Sequence, residues 1–287
     1  MAAVLACAGV LAASPNKVDT STAVGRAFVR LYSFDFTGAQ AILDRQIQAD
    51  PQAPLPYSVK AAAYLFAELH RLKILQMDFF EDDDRVVDRK KLTPDPEVRK
   101  QFFRMVEMAR ERADARLATH PNDRDALFTH CMAAGLVTDY AALIERRRFG
   151  SFSLARKTQV WVERLMTLNP PVYDAQLAQG TTEYVLGSLP FFLRWFIRIH
   201  NVQGNKQKAV ETLESVAARG RYYGPFARIL LAVIHLREKR PWEAEKLLAE
   251  LVKEYPENPL LKRELARTRK ITGWDSTAEA AHGEPAQ

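Results

Sequence analysis

Apolar positions recur at helical spacing along most of this chain. The clearest case runs from Pro241 to Pro259, where Ala244, Leu247, Leu248, Leu251 and Val252 fall at the i, i+3, i+4, i+7, i+8 interval that lines one helix face. Pro241 suits a first helical turn, Glu243 favours the positive end of the helix dipole, and Pro256 ends the run. The preceding segment, Phe226 to Glu238, carries a similar stripe at Phe226, Ile229, Leu230, Val233 and Ile234. The pattern predicts two antiparallel helices joined by the short link Lys239-Arg240.

Proline and glycine divide the rest into segments of the same kind. A first pair is expected from Val18 to Ser33 (Phe28, Leu31 and Tyr32 inward) and from Thr37 to Ala49 (Phe36, Ala39, Ile42, Leu43 and Ile47 on the buried side), with Asp50-Pro51 as the stop. Tyr57 to Leu75 follows, its Ala61-Ala62-Ala63 allowing close packing, and Glu97 to Ala118 carries Phe102, Val106, Ala109, Ala113 and Leu117 on one face. Asp123 is placed to cap a helix on which Leu127, His130, Cys131 and Ala134 lie together. Later helices are expected from Ser153 to Leu168, Tyr173 to Gly187, Asn205 to Gly220 and Leu260 to Ile271, with Gly220 read as a left-handed cap. The last, rich in Lys and Arg, suits the wet outer face of a terminal repeat, and 272–287 reads as a disordered tail.

Two stretches depart from this rhythm. Residues 76–96 hold Asp78, Glu81, Asp82, Asp83 and Asp84, then Arg89-Lys90-Lys91; without the turn glycine and the twelfth-position Glu of a calcium loop, they read as a solvated insertion. Between Leu189 and Ile199 the apolar side chains, among them Phe191, Phe192, Trp195 and Phe196, cover most of the helix circumference, broken by Arg194 and Arg198. Such a segment is buried between neighbours, or it meets a membrane interface or a partner groove.

Three segments share a small residue, a second residue four positions on, and a proline eight beyond that: Ala244, Leu248, Pro256; Ala39, Leu43, Pro51; and Ala109, Ala113, Pro121. Thr158, Val162, Pro170 and Ala209, Leu213, Arg221 are degraded copies. This pattern resembles the second helix of the tetratricopeptide (TPR) repeat, and Ala27 and Ala232 fall at the small packing position of the first. The resemblance covers 18–271 and implies an all-α, right-handed α-solenoid of stacked antiparallel helix pairs. The stops at Pro51, Pro121, Pro170 and Pro256 are 70, 49 and 86 residues apart, so the array is divergent. It is similar to bacterial exported or envelope proteins of this type. The implied role is a protein-protein interaction scaffold with a protein or peptide partner.

Composition adds little to that picture. The chain has 287 residues, 47% hydrophobic and 26% charged, with a formal net charge of +6. Two cysteines, Cys7 and Cys131, make no disulfide framework, and a buried, inert Cys131 is expected. Residues 1–17 begin with an apolar run of signal-peptide core length that lacks a basic n-region; three readings stay open, namely an export leader, a first buried helix, and a lipobox acylated at Cys7. An export leader implies a periplasmic or envelope location, and its absence a cytoplasmic one. No other apolar stretch approaches transmembrane length. No phosphate loop, paired metal-spaced histidines, GxSxG elbow or dinucleotide fingerprint occurs, so neither catalysis nor a cofactor is expected. Glu68 and His70 read as an exposed helix face, and His130 and Cys131 point about 100° apart on a helix, poorly set for a nucleophile and base. The terminal basic helix lacks interleaved aromatics, which argues against nucleic acid. Arg146, Arg147, Arg148, Phe191, Phe192, Arg194, Trp195 and Arg198 remain the candidate partner contacts, with 189–199 as the alternative lipid contact of a membrane-associated envelope component.

Overall fold

A computed structural model describes residues 17–76, 92–145, 150–188 and 205–273, without the side chains of 150–158 and 185–187. The leader through residue 16, the acidic cluster of the insertion, Arg146 to Arg148, the whole 189–199 segment and the tail from residue 274 lie outside the described residues. Eleven α-helices and no strand occur among those described: α1 (Ala23–Tyr32), α2 (Phe36–Ala49), α3 (Leu55–Arg71), α4 (Pro96–Thr119), α5 (Arg124–Asp139), α6 (Gly150–Thr167), α7 (Leu177–Ser188), α8 (Lys206–Arg219), α9 (Gly224–Arg237), α10 (Pro241–Glu254) and α11 (Pro259–Thr272). Consecutive helices pack in neighbouring pairs, α1 with α2 through α9 with α10, and α11 packs on α10 at the end. The first helices of successive pairs also touch, α1 on α3 and α3 on α5, which makes them one layer of the stack.

The turns explain the regularity. After α1, α3 and α9 one residue takes a left-handed conformation, Phe34 (φ 63°), Lys73 (φ 58°) and Lys239 (φ 57°). The next N–H then reaches back to the helix, Asp35 to Arg30 O (2.9 Å), Ile74 to Leu69 O (2.8 Å) and Arg240 to His235 O (2.8 Å), satisfying carbonyls that a helix end leaves open. Second helices stop differently. Asp50, His120 and Tyr255 leave helical geometry just before Pro51, Pro121 and Pro256, and their carbonyls accept from Ala53, Asp123 and Asn258 three residues later. Asp123 and Asn258 then cap α5 and α11 with their side chains.

Small residues set the helix spacing. Ala39, Ala109, Ala209 and Ala244 on the second helices, with Ala27 and Ala232 on the first, have no exposed surface, and neither do Leu43, Ala113, Leu213 and Leu248 one turn on. Gly180 of α7 serves the same end, since a Cβ there would stand 3.0 Å from Leu213 Cγ. The stripe expected on α9 is displaced: Phe226, Ile229 and Leu230 are half-buried, while Ala227, Leu231, Ala232, Val233 and Ile234 are buried. A helix held between α8 and α10 buries two faces, with Ala227, Leu231 and Ile234 beside Leu213 and Val216, and Ala232 and Val233 beside Ala244 and Leu248. The run Arg124–Ile144, α5 with its π-helical extension, is long and apolar enough to cross a membrane by length and composition, contrary to the expectation that no stretch beyond the leader approaches that length. Here α5 packs against α3, α4 and α6 as a core helix.

The array does not run open from one end to the other. A short 3-10 turn, Tyr173–Gln176, places Asp174 almost fully buried (2% exposed), where its carboxylate accepts the backbone N–H groups of Arg221 (2.7 Å), Tyr222 (2.8 Å) and Tyr223 (2.6 Å). Gly220 precedes that loop with φ −64° and ψ 138°, an extended conformation in place of the expected left-handed cap. Its glycine is required by space, because a Cβ would lie 2.6 Å from Val216 O and 3.1 Å from Asp174 Oδ1. The loop inserts Tyr222 and Tyr223 between first helices: Phe28 of α1 stacks on Tyr222 (5.0 Å), and Phe128 of α5 meets both tyrosine rings (6.1 and 5.5 Å). Tyr32 Oη donates to Tyr222 O (2.8 Å), Asn258 donates to Tyr32 O (2.8 Å), and Arg221 pairs with Asp19 (3.1 Å). The first pair is thereby fastened to the last.

Asp174→Ala leaves three buried N–H groups without an acceptor, and a loss of about 3 kcal/mol or more is expected in urea unfolding. Asp174→Asn, which keeps one acceptor oxygen, is expected to lose less; equal stability of the alanine variant and the native chain would contradict this account.

Candidate functional site

Fastening the ends together creates a recess that neither end has alone. At the close of α3 the chain turns through Lys73, presenting His70, Arg71, Lys73, Leu75 and Gln76; across from them the first turns of α11 present Leu260 and Arg263. Together they line a cavity of about 350 Å³. Three of the seven lining side chains carry permanent positive charge, a histidine is a fourth basic group, and none is acidic.

Buried carboxylates behind the wall hold the arginines. Glu68, read from sequence as part of an exposed face, is 2% exposed. Its two oxygens grip Arg71 through Nε (2.8 Å) and Nη2 (2.7 Å), and Oε1 also accepts the N–H of Asp95 (2.8 Å). Arg71 Nη2 donates further to Thr93 O (2.9 Å). One buried acid thus joins the end of α3 to the start of α4 across the insertion. The local pattern around Glu68 is polar, with His70 and Arg71 exposed, and its burial comes from the returning chain at Thr93 and Asp95. On the other wall Glu264, also 2% exposed, accepts from Nε of Arg263 (3.0 Å) and of Arg267 (2.8 Å). His70 is held edge-on against Phe34 (5.1 Å) and lies near Phe36 (6.2 Å). Lys73 is exposed and its ammonium forms no ion pair among the described residues.

The pair weighed for catalysis is resolved differently. The His130 ring stacks on Trp161 (4.4 Å, 9° between planes), and Nε2 lies 2.9 Å from Asp114 Oδ1 without hydrogen-bond geometry. Cys131 points elsewhere, toward Ala175 O (3.9 Å), and burial pushes its thiol up to about 12, which keeps it protonated and unreactive. Among the described residues no group of three His, Cys, Asp or Glu side chains is placed to hold a metal ion. None of the recess residues was singled out from the sequence as a partner contact, since no local spacing announces a meeting between α3 and α11. The candidates at 146–148 and 191–198 lie outside the described residues.

With this geometry in view, comparison with solved structures finds a likeness to the crystal structure of a thermophilic TPR protein in Thermus thermophilus. The two chains are 17% identical with a TM-score of 0.46, the match covering 85% of this chain and 95% of that one. No protein-family model matches this chain. No curated protein matches it either.

Burial holds the imidazoles of His130 and His235 below their ordinary range, the nearby carboxylates of Asp114 and Glu243 pulling each partly back. The folded state therefore favours neutral rings. Their contribution to stability is complete above the unfolded value of about 6.5 and is lost as pH falls below it toward the folded values. Melting temperatures between neutral pH and mild acid are expected to fall more steeply for the native chain than for a His130→Asn/His235→Asn variant.

Proposed function

We propose that this chain is a non-catalytic scaffold for protein-protein interaction. The observation that carries the reading is the stack of helix pairs whose two ends meet around a basic recess. Stacked pairs are rigid mounts whose surface residues are free to vary, because alanines, leucines and turn residues supply the packing. The strongest buried polar groups are occupied with structure: Asp174 holds a loop, Glu68 and Glu264 hold arginines, and buried Arg228 on α9 pairs with Glu254 on α10. The recess, by contrast, offers cations beside leucine walls.

We take residues 1–17 as an export leader and place the scaffold in the cell envelope. Two features of the sequence support that placement: a small-residue apolar run at the N-terminus and its lack of the large aliphatic stripe found on the packed helices.

Affinity capture with the full chain, followed by gel filtration of the purified pair, tests the scaffold reading. A protein partner co-eluting at fixed stoichiometry is expected; recovery of lipid or nucleic acid alone would overturn the reading. Fractionation of cells expressing the chain with and without residues 1–17 tests location separately, and a full-length chain confined to the cytosol would sink the envelope assignment.

A further inference from the structure

We propose that the recess between the end of α3 and the start of α11 is a docking site for an acidic peptide segment of the partner, an inference that rests on the scaffold reading and specifies its contact. Carboxylates of the segment meet Lys73, Arg71 and Arg263, and an apolar side chain lies between Leu75 and Leu260.

Charge complementarity is the first argument. Among the described residues the lining holds His70, Arg71, Lys73 and Arg263 and no acid, so an anion entering it meets attraction from both walls. Glu68 and Glu264 stand behind the guanidinium groups, engaging the Nε and Nη2 atoms of Arg71 and Arg263. The Nη1 end of each makes no hydrogen bond among the described residues, and a guanidinium has five N–H donors to distribute. This arrangement fixes two forks in place while leaving an open end on each. The Lys73 ammonium adds a charge that no carboxylate pairs with among the described residues.

Shape and chemistry select the occupant. The cavity of about 350 Å³ falls within the range of small-ligand pockets and takes a few side chains of an extended segment. A bare phosphate offers the Leu75 and Leu260 side chains that line the recess nothing apolar to pack on. A lipid surface requires a broad convex or flat cationic face, whereas these charges converge from two helix ends on one concavity. An acidic segment with interspersed leucine answers both the charges and the leucine walls. Because Arg71 closes α3 of the second pair and Arg263 lies on the last helix, the site exists only while the two parts of the array are held together.

Fluorescence anisotropy with a labelled peptide of about twelve residues alternating Glu, Leu and Asp tests the proposal on the full chain. Binding is expected to weaken about tenfold in Lys73→Glu/Arg263→Glu and to fall severalfold when salt is raised from about 50 to 300 mM. Lys246→Glu/Lys253→Glu, with the same change in net charge on the exposed side of α10, is expected to bind as the native chain does. Lys73→Ala provides a milder variant if the double reversal melts early. Equal weakening in both reversed pairs would reduce the effect to general charge and overturn the site. So would no binding of the acidic peptide, or binding of inorganic phosphate or of phosphatidylserine vesicles in its place. If the captured partner stays bound to Lys73→Glu/Arg263→Glu, the scaffold reading stands and this site falls; if the native chain captures no partner, the scaffold reading itself falls.

Discussion

A single buried carboxylate decides the shape of this molecule. Asp174 gathers three successive backbone N–H groups of a loop that follows α8, and that loop carries the two tyrosines on which α1 and α5 close. Burial pushes its acid group above the ordinary carboxylate range, against the pull of the three donors. Taking a carboxylate out of water costs several kcal/mol, and charge-assisted hydrogen bonds return about 1.5–3 kcal/mol each, so the net gain in stability is small. What the arrangement supplies is position. With the loop held, Tyr222 and Tyr223 have one place to go, and the first and last pairs of the array are brought within hydrogen-bonding reach at Tyr32 and Asn258.

The remainder of the fold is assembled from parts that repeat. Three first helices end in the same left-handed turn, three second helices end at the same residue-proline step, and alanines fix the spacing between members of each pair. These are local devices that work wherever they occur in the chain, which is why pairs as far apart as α1–α2 and α9–α10 look alike. The middle of the array is built otherwise. There α5 runs on into a π-helical turn and α8 ends at an extended Gly220, so the regular exits are missing where the closing loop is formed. Regular pairs propagate a stack, and irregular exits let it bend back on itself.

Closure also changes the meaning of the acids and bases at the ends. Glu68 and Glu264 neutralise part of the charge of Arg71, Arg263 and Arg267 while orienting it, and the two clusters face each other only because α1 and α9–α11 are joined. A basic terminal helix of a linear array would be a solvated cap. In the closed array the first turns of that helix become one wall of a recess.

The sequence by itself determined most of the helices, the pairing at the two ends of the array, and the proline stops. Helical periodicity, the alanine, leucine and proline spacing, and the capping Asp123 act within a few residues, and short-range interactions are legible in short-range patterns. Its errors have one source. The stripe on α9 names Phe226, Ile229 and Leu230, which are half-buried against the core, and leaves out Ala227 and Leu231, which are buried because α9 has neighbours on two faces. Glu68 was placed outward because its helix neighbours are polar, whereas the chain returning at Thr93 and Asp95 buries it. Gly220 is expected to be a left-handed cap, whereas it is extended and is glycine because Val216 O and Asp174 crowd the place of a Cβ. Only the tertiary structure could decide these points, and with them the recess between α3 and α11, since each depends on which distant segments share a boundary. A contact across most of the length of the chain leaves no period and no motif in either partner.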